Sequence, residues 1–328
     1  NKSMKNKKKF LIIGSNFSFN HYEYLKNQKN SEIHICSPNI YKKKFYKNCN
    51  LSKNYKKIIT QHDFHTIVCC AKPDIQKDFI NLMIKKKYKC KFIMLEKPLS
   101  INIKKFYEFQ SYCLINKIKF YLNFTYSNLS IFKKIHSILR SDKNTKITFE
   151  LNIFHHFLKH KNNSWKNFIS EGGGIINYYL VHIIFAFVKQ SNQLKLDKIN
   201  YFLKNKFLNE INLTFKNYNN DILIINFKLD SNLYTHKYFI NSKKYNYTIS
   251  TKSKNWYDRY FLRKFDKKDH LINETIYKEK ISELIKINYK NLYQKNLKKD
   301  LLKYYSLIAK TEVICNKINN KIKKYDFK

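Results

Sequence analysis

The first 125 residues alternate between short apolar runs and longer amphipathic stretches. Residues 10–13, 66–71 and 91–95 are almost wholly apolar, and each has the length of one buried strand. An amphipathic segment between Ile75 and Met83 places its apolar side chains at helical spacing. Apolar strands separated by helices are typical of a parallel sheet that is covered on both faces. Further strands of this kind are predicted at residues 32–36 and 118–124.

The pattern changes beyond residue 145, where apolar positions recur with period two. Residues 146–154 alternate in this way, which indicates strands of an antiparallel sheet with one solvated face. Helical periodicity returns over residues 269–297 and again over residues 300–322. Alternation like that of residues 146–154 is present in parts of residues 197–203, 211–217, 221–229, 234–241 and 245–251.

Together these patterns predict an α/β protein with two domains, as its length also favours. We expect a Rossmann-type parallel sheet in residues 1–125. An α+β domain with a mostly antiparallel open sheet is expected in residues 126–328. Whether the C-terminal helices pack back on the first domain is left open.

Turn residues mark one edge of the predicted parallel sheet. Pro38, Pro73 and Pro98 each follow the C-terminal end of a predicted strand, and Gly14 ends the first strand. In open α/β sheets, ligands bind in the crevice at that edge. The sequence therefore predicts a ligand site in the N-terminal half.

The composition is basic, with a formal net charge of +42, but it does not favour a nucleic-acid site. Only three of the 65 basic residues are arginine, which is the side chain that reads phosphates and bases in bidentate fashion. Lysine, asparagine and isoleucine are abundant along the whole chain, as expected from A/T-rich codons. We therefore expect a solvated lysine surface that adheres weakly to polyanions, and no specific nucleic-acid partner.

Neither disulfides nor a metal site is suggested by the seven cysteines, since they form no Cys-x-x-Cys pair. Most lie in apolar runs, as reduced, buried cysteines of a cytoplasmic protein do. The apolar run at residues 10–13 is too short for a signal peptide, and residues 175–188 are too short and too interrupted to span a membrane. We expect a cytoplasmic protein with no membrane span.

Three of the four glycines stand together at residues 172–174. Because apolar periodicity starts directly after them, they predict a loop that leads into a helix N-terminus, where free N–H groups suit an anion. On this helix Tyr178 and His182 are four residues apart and share one side. A flexible hinge before an ordinary core helix, with a surface histidine, is the alternative interpretation. The opposite, apolar side of the helix carries Ile176, Leu180, Ile183 and Phe187.

Three motifs occur in a characteristic order: a strand that ends at Gly14, the sequence Leu-Glu-Lys-Pro-Leu at residues 95–99, and the triple glycine followed by His182. In this order and spacing the chain resembles the Gfo/Idh/MocA family, the relatives of glucose–fructose oxidoreductase and inositol dehydrogenase. The resemblance covers essentially the whole chain in element order. It implies a Rossmann domain that holds NAD or NADP and a second domain whose open sheet supports homo-oligomers.

The resemblance also implies a reaction and a set of site residues. Family members transfer a hydride between nicotinamide and a carbon of a sugar, sugar-nucleotide or polyol. By this likeness His182 is the acid/base, Lys97 lies near cofactor and substrate, and Tyr178 is a third catalytic candidate. Imidazole titrates near neutrality, and an ammonium stabilises a developing alkoxide. The implied cofactor contacts are Gly14, Ser15, Asn16, Phe17, Ser37, Ala71, Pro73, Glu96 and Lys97, and the implied substrate contacts are Trp165, Gly173, Gly174 and Tyr178; no metal is implied.

The chain also departs from the family pattern. The glycine fingerprint is reduced to Gly14, and Ser37 stands where an acidic residue commonly binds the ribose. Lysines at residues 42–44 are suited to a 2′-phosphate, or are simply three more surface lysines. Tyr178 replaces an aspartate that precedes the histidine. These changes leave open an altered substrate, slow chemistry, or a catalytically degenerate member that binds a nucleotide or a protein partner.

Overall fold

Six parallel strands form the sheet of the N-terminal part of the chain in the computed structural model. Their order is β3-β2-β1-β4-β5-β6, and every neighbouring pair is parallel. This is the strand order of a Rossmann fold, so the predicted parallel sheet is confirmed. The strands are β1 (Lys8–Ile13), β2 (Ser31–Cys36), β3 (Asn50–Ser52), β4 (Phe64–Cys69), β5 (Cys90–Leu95) and β6 (Lys119–Leu122).

Four helices connect these strands, and the starts of three of them follow from local sequence. The side chain of Asn54 accepts a hydrogen bond from the Lys57 N–H, and Asn102 does the same for Lys105, so both helices are N-capped. Pro73 opens the third helix at a position where a missing N–H costs nothing. The helices are α1 (Ser18–Leu25), α2 (Tyr55–Gln61), α3 (Pro73–Lys86) and α4 (Ile103–Ile115).

The second sheet has eight strands in the order β14-β13-β12-β11-β7-β10-β9-β8. Only β7 and β10 pair in parallel, and the other pairs are antiparallel, as predicted. Buried and half-exposed side chains alternate along β7, β10 and β12, so one face of the sheet is covered. The strands are β7 (Lys146–Ile153), β8 (Lys195–Lys204), β9 (Phe207–Lys216), β10 (Ile222–Leu229), β11 (Thr235–Asn241), β12 (Asn246–Thr251), β13 (Arg259–Phe265) and β14 (Leu271–Lys278).

Helix α5 begins at Ser130, where the Glu279 carboxylate accepts hydrogen bonds of 2.8 Å from both the backbone N–H and the hydroxyl of Ser130. This contact satisfies a backbone N–H that an α-helix leaves open at its start. Among the residues that the structure describes, the further α-helices are α5 (Ser130–Ser141), α6 (Val181–Gln190), α7 (Ile281–Tyr293) and α8 (Lys298–Ile322).

The chain divides into two compact units that are not simple halves of the sequence. The first comprises residues 1–125 and 281–309, and the second comprises residues 126–280 and 310–328. Sequence patterns placed residues 126–328 in one domain. The structure describes residues 7–14, 17–40, 46–99, 101–142, 144–153, 172–191, 193–204, 207–217, 219–229, 234–251, 257–295 and 298–322.

Helix α7 belongs to the first unit because its apolar side chains complete that unit's core. Ile285, Tyr289 and Leu292 are buried in one cluster with residues of α1, β1 and β2. Lys119 on β6 donates to the carbonyl oxygens of Asn291, at 2.6 Å, and of Gln294 at the end of the helix. A cation at a helix C-terminus is favourable, although burial lowers the pKa of Lys119 to about 8.

Strand β6 lies at the edge of its sheet, and two tyrosines of α8 cover it. The hydroxyl of Tyr305 accepts from the N–H of Phe120 at 3.2 Å, and its ring stacks on that phenylalanine. The hydroxyl of Tyr304 bonds both the N–H and the carbonyl of Leu122. Backbone groups that an edge strand would leave open are thereby satisfied.

The helix predicted over residues 269–297 is wrong in its first part. Residues 271–278 form β14, and the helix begins only at Ile281. The strand is held by pairing with β13, including an ion pair of 2.5 Å between Arg263 and Glu274. Such pairing partners are not visible in local periodicity.

A buried polar cluster lies within the core of the second unit. The hydroxyl of Tyr126 lies 2.6 Å from Nε2 of His236 and also hydrogen-bonds the hydroxyl of Tyr238. Burial lowers the pKa of His236 to about 3, because a charged imidazole would lose its hydration here. His236 is therefore held as the neutral ring.

Gly14 is required by the backbone of the first unit. Its φ is +123°, and a Cβ at this position would lie 2.7 Å from the carbonyl oxygen of Cys70. We expect Gly14→Ala to lower the free energy of unfolding by about 2 kcal/mol or more, through strain and this clash. Urea denaturation measures the loss, with Ser37→Ala, at the end of the adjacent strand, as the control. Equal midpoints for the two variants would contradict this assignment.

The neutral state of His236 predicts a loss of stability in acid. Between pH 6.5 and about 3 the unfolded chain binds a proton that the folded chain does not, so stability falls as pH falls. Measured at pH 7.5 and pH 4.5, the wild type should lose up to about 2.5 kcal/mol more than His236→Phe. Parallel profiles for wild type and His236→Phe would exclude this origin.

Candidate functional site

The C-terminal ends of the parallel strands bring several predicted site residues to one edge. Backbone hydrogen bonds continue past the strands: the N–H of Gly14 donates to Cys36 at 2.9 Å, and that of Cys70 donates to Ile13 at 2.9 Å. The N–H of Glu96 likewise donates to the carbonyl of Cys69 at 2.9 Å. The segments that follow β1, β2, β4 and β5 therefore share this edge, as Gly14, Ser37, Ala71, Pro73, Glu96 and Lys97 do.

The start of α1 carries the next predicted contacts. Phe17 immediately precedes the helix, is half-buried, and packs edge-on against the ring of His21 with centroids 5.7 Å apart. Ser15 and Asn16, which the family resemblance also implies as cofactor contacts, lie outside the described residues. Gly14 is the one glycine of the family fingerprint in this chain, and its positive φ explains why a glycine stands there.

Glu96 is the centre of a hydrogen-bond network that sequence patterns did not reveal. Its Oε1 atom lies 2.9 Å from Nε2 of His21 and also accepts from the side-chain amide of Asn123. Nδ1 of His21 lies 2.9 Å from the hydroxyl of Tyr289, and the amide of Asn288 donates to Asn123. A buried charged group is stable only when it is paired in this way.

One signal for this network was present in the sequence. Asn288 occupies a core position of α7, four residues after Leu284 and four before Leu292. A polar residue in an apolar stripe needs a buried partner. Its partner could not be identified from the sequence, because Asn123 and Asn288 are 165 residues apart.

Lys97 follows Glu96 directly and is half-exposed, while Pro98 and Leu99 are buried. The Lys97–Pro98 peptide is cis. The carbonyl of Glu96 accepts a hydrogen bond of 2.5 Å from the side chain of Gln76 on α3. The backbone that carries Lys97 is therefore fixed by contacts on both sides of the strand end.

In the second unit, the triple glycine leads into a helical segment as predicted. Gly172 and Gly174 have φ values of +82° and +78°, which L side chains rarely adopt. The four apolar residues of the predicted stripe are all buried, whereas Tyr178 and His182 are half-exposed.

The first turn of this segment is not the α-helix that was predicted. Residues Ile176–Leu180 form a π-helix, with the Val181 N–H bonded to the carbonyl of Ile176. Asn177 anchors the turn, because its side chain donates to the Gly172 carbonyl and accepts from Asn319 at 3.0 Å. π-turns within helices are frequent at functional sites.

His182 lies beside the buried polar cluster of the second unit. Its ring centroid is 6.2 Å from that of Tyr126, which bonds His236 and Tyr238. Tyr178 packs edge-on against Tyr179 at 4.7 Å. Trp165, the remaining substrate candidate, lies outside the described residues.

The three catalytic candidates lie in different units, Lys97 in the first and both Tyr178 and His182 in the second. That they meet at a common cofactor stays a prediction. In the described part of the chain, no three His, Cys, Asp or Glu side chains group as a metal site requires. None of the described helices combines the length and apolar character of a membrane span.

No protein-family model and no curated protein matches this sequence. Solved structures do match it in fold. KijD10, a 3-ketoreductase from Actinomadura kijaniata in complex with NADP and TDP-benzene, has a TM-score of 0.76 at 11% identity, over 96% of this chain and 98% of that chain. A protein from Desulfitobacterium hafniense assigned as an NADPH-dependent oxidoreductase has a TM-score of 0.73 at 12% identity, over 97% and 99% of the two chains.

At these identities the likeness establishes the fold. It extends over both units, from the parallel sheet to the eight-stranded sheet. The chain therefore has the fold that its resemblance to the Gfo/Idh/MocA family implied, a Rossmann-type unit joined to an α+β unit with an open sheet.

Proposed function

We propose that this protein is an NAD(P)-dependent oxidoreductase that transfers a hydride between nicotinamide and a carbon of a sugar or sugar-nucleotide. One observation carries the proposal. Gly14 and the Glu96-Lys97-Pro98 segment lie at the C-terminal edge of a sheet with Rossmann strand order. In such sheets a dinucleotide binds where the strand order reverses, here between β1 and β4.

The residues at this edge fit a dinucleotide. Gly14, Ser37 and Ala71 follow β1, β2 and β4, and all three are small, which leaves room beside the strand ends. Ser37 in place of an acidic residue removes the repulsion that a 2′-phosphate would meet, so we favour NADP over NAD. KijD10 and the Desulfitobacterium protein, which share this fold, are described with NADP and NADPH, in support of this choice.

When bound, the nicotinamide supplies or accepts the hydride, and the protein handles the proton and the charge. We assign to His182 the role of taking up or returning the proton of the reacting hydroxyl, since imidazole exchanges protons near neutral pH. Lys97 stabilises the negative charge that develops on the same oxygen. Tyr178, on the turn before His182, is assigned to substrate orientation, together with Gly173, Gly174 and Trp165.

A second candidate function is nucleotide or partner binding without turnover. It is favoured by Tyr178, which cannot supply the charge of the aspartate found there in catalytic relatives, and by the single glycine of the fingerprint. Binding without turnover of any sugar or sugar-nucleotide would distinguish it from the first proposal.

We further propose that the protein forms homo-oligomers through the open face of the eight-stranded sheet. Phe239 on β11 is exposed on the face opposite the buried His236 and Tyr238. Phe239 pairs with Thr148 on β7, so the apolar ring lies near the middle of the sheet. An NADP-dependent reaction and reduced cysteines suit a cytoplasmic location.

Cofactor binding is the first test. NADPH fluorescence should change on titration with purified protein, with a dissociation constant below 1 mM, which is about −4 kcal/mol of binding free energy. NADH should bind more weakly, because only NADPH carries the 2′-phosphate. Failure of both cofactors to bind at millimolar concentration would remove the proposal.

Turnover is the second test. Lys97→Ala and His182→Ala should each lower kcat with a sugar-nucleotide substrate by roughly 10²- to 10⁴-fold, since each removes stabilisation of the transition state. Cofactor affinity should stay within about 3-fold, because neither change removes the strand-end backbone. Lys85→Ala and His270→Ala, at exposed positions, serve as matched controls with wild-type kcat. Unchanged turnover in both site variants would overturn the roles assigned to Lys97 and His182, whereas binding of cofactor without turnover by the wild type would favour the binding-only function.

A further inference from the structure

We propose that His21 is a positioning residue that fixes the Glu96 carboxylate so that one of its oxygens faces the cofactor site. The inference rests on the proposed function and adds four residues to it: His21, Asn123, Asn288 and Tyr289. None of them follows from the sequence motifs. His21 and Asn123 contact Glu96, Tyr289 and Asn288 support those two residues, and all of these contacts lie within the first unit.

The His21 ring is immobilised at both nitrogens. Its side chain is fully buried, with Nε2 2.9 Å from Glu96 Oε1 and Nδ1 2.9 Å from the Tyr289 hydroxyl. A carboxylate oxygen only accepts hydrogen bonds, so Nε2 is the donor. The rings of Phe17 and Tyr289 both pack against the imidazole with centroids 5.7 Å away. The donor is therefore held in one direction.

A second arm fixes the same oxygen. Asn123 donates its amide to Oε1 of Glu96 and accepts from the amide of Asn288 with its own oxygen. Both asparagines are fully buried. Asn288 and Tyr289 are neighbours on α7, so a single helix supports both arms.

These contacts leave the carboxylate with one oriented acceptor. Oε1 has two donors, His21 and Asn123, and both side-chain hydrogen bonds that described residues make to the carboxylate go to this atom, so Oε2 is left for a ligand. The Glu96 side chain is 15% exposed and follows β5 at the edge assigned to the cofactor. A fixed carboxylate oxygen in this position binds a hydroxyl or amide N–H donor, the groups that a nicotinamide nucleotide carries.

If His21 only stabilised the fold, its substitution would lower stability without a selective effect on the strand-end segment. A second histidine–carboxylate pair in the chain serves as the matched control for that possibility. His34 and Glu32 form a histidine–carboxylate pair with the same atoms and the same 2.9 Å distance. His34 is buried on β2, in the same sheet, but this pair lies before the strand end. Removal of either histidine should reduce stability, but only the loss of His21 should loosen the segment around Glu96 at the C-terminal edge of the parallel sheet.

The experiment compares His21→Phe with His34→Phe by amide hydrogen exchange in the absence of cofactor. Exchange at Glu96 and Asn123, whose N–H groups bond Cys69 and Leu95, should accelerate about 10-fold or more in His21→Phe alone. The dissociation constant for NADPH should also rise about 10-fold in this variant, because that change corresponds to the loss of one charge-assisted hydrogen bond. His21→Gln should recover most of the affinity, because its amide can donate to Glu96 and accept from Tyr289.

Tyr289→Phe removes only the hydroxyl that bonds Nδ1 of His21. It is the variant to use if His21→Phe does not fold. It should show the same selective effects on exchange and affinity, with smaller magnitude. Equal effects of the His21 and His34 substitutions on exchange would overturn the positioning role. Absence of NADPH binding by the wild type would end the proposed function instead, and the exchange data would still decide whether His21 fixes Glu96.

Discussion

A parallel sheet covered on both faces confines its polar chemistry to the strand ends. In β1, β2 and β4 the last four residues are buried, so no side chain within them can reach a ligand in water. Partly exposed side chains first occur in the segments that follow the strands, as at Ala71 after β4 and Glu96 after β5. Because of this constraint, the positions after the strands carry the residues that a ligand would meet. Small residues stand there where a ligand must approach the backbone closely, and Glu96 stands there as a polar group for the ligand.

The second unit meets the same need for buried polar contacts in another way. Its sheet has a covered face and an open one, and the covered face includes a histidine and three tyrosines among its core residues. Tyr126, His236 and Tyr238 satisfy one another there, next to His182. In both units a candidate site residue thus adjoins a buried network whose hydrogen bonds cannot be replaced by water.

Much of the fold could be predicted because it follows from local pattern. The apolar runs located five of the six strands of the first sheet, all but the short β3, and the triple glycine located the start of the helical segment with His182. Contacts between distant parts of the chain could not be predicted: residues 21, 96, 123 and 288 meet only after folding. The strand at residues 271–278 and the π-turn at residues 176–180 were missed for a similar reason, since both depend on tertiary partners rather than on periodicity.

The order of the two units along the chain has a consequence for how fragments of this protein behave. Residues 126–280 of the second unit are inserted between the two pieces of the first, and α8 begins in one unit and ends in the other. A fragment that stops at residue 125 would lack Tyr304 and Tyr305, which cover the backbone of β6. Its edge strand would then carry unpaired N–H and C=O groups, which favour self-association. The ribosome therefore synthesises β6 more than 150 residues before Tyr304 and Tyr305, the residues that cover its backbone in the folded protein.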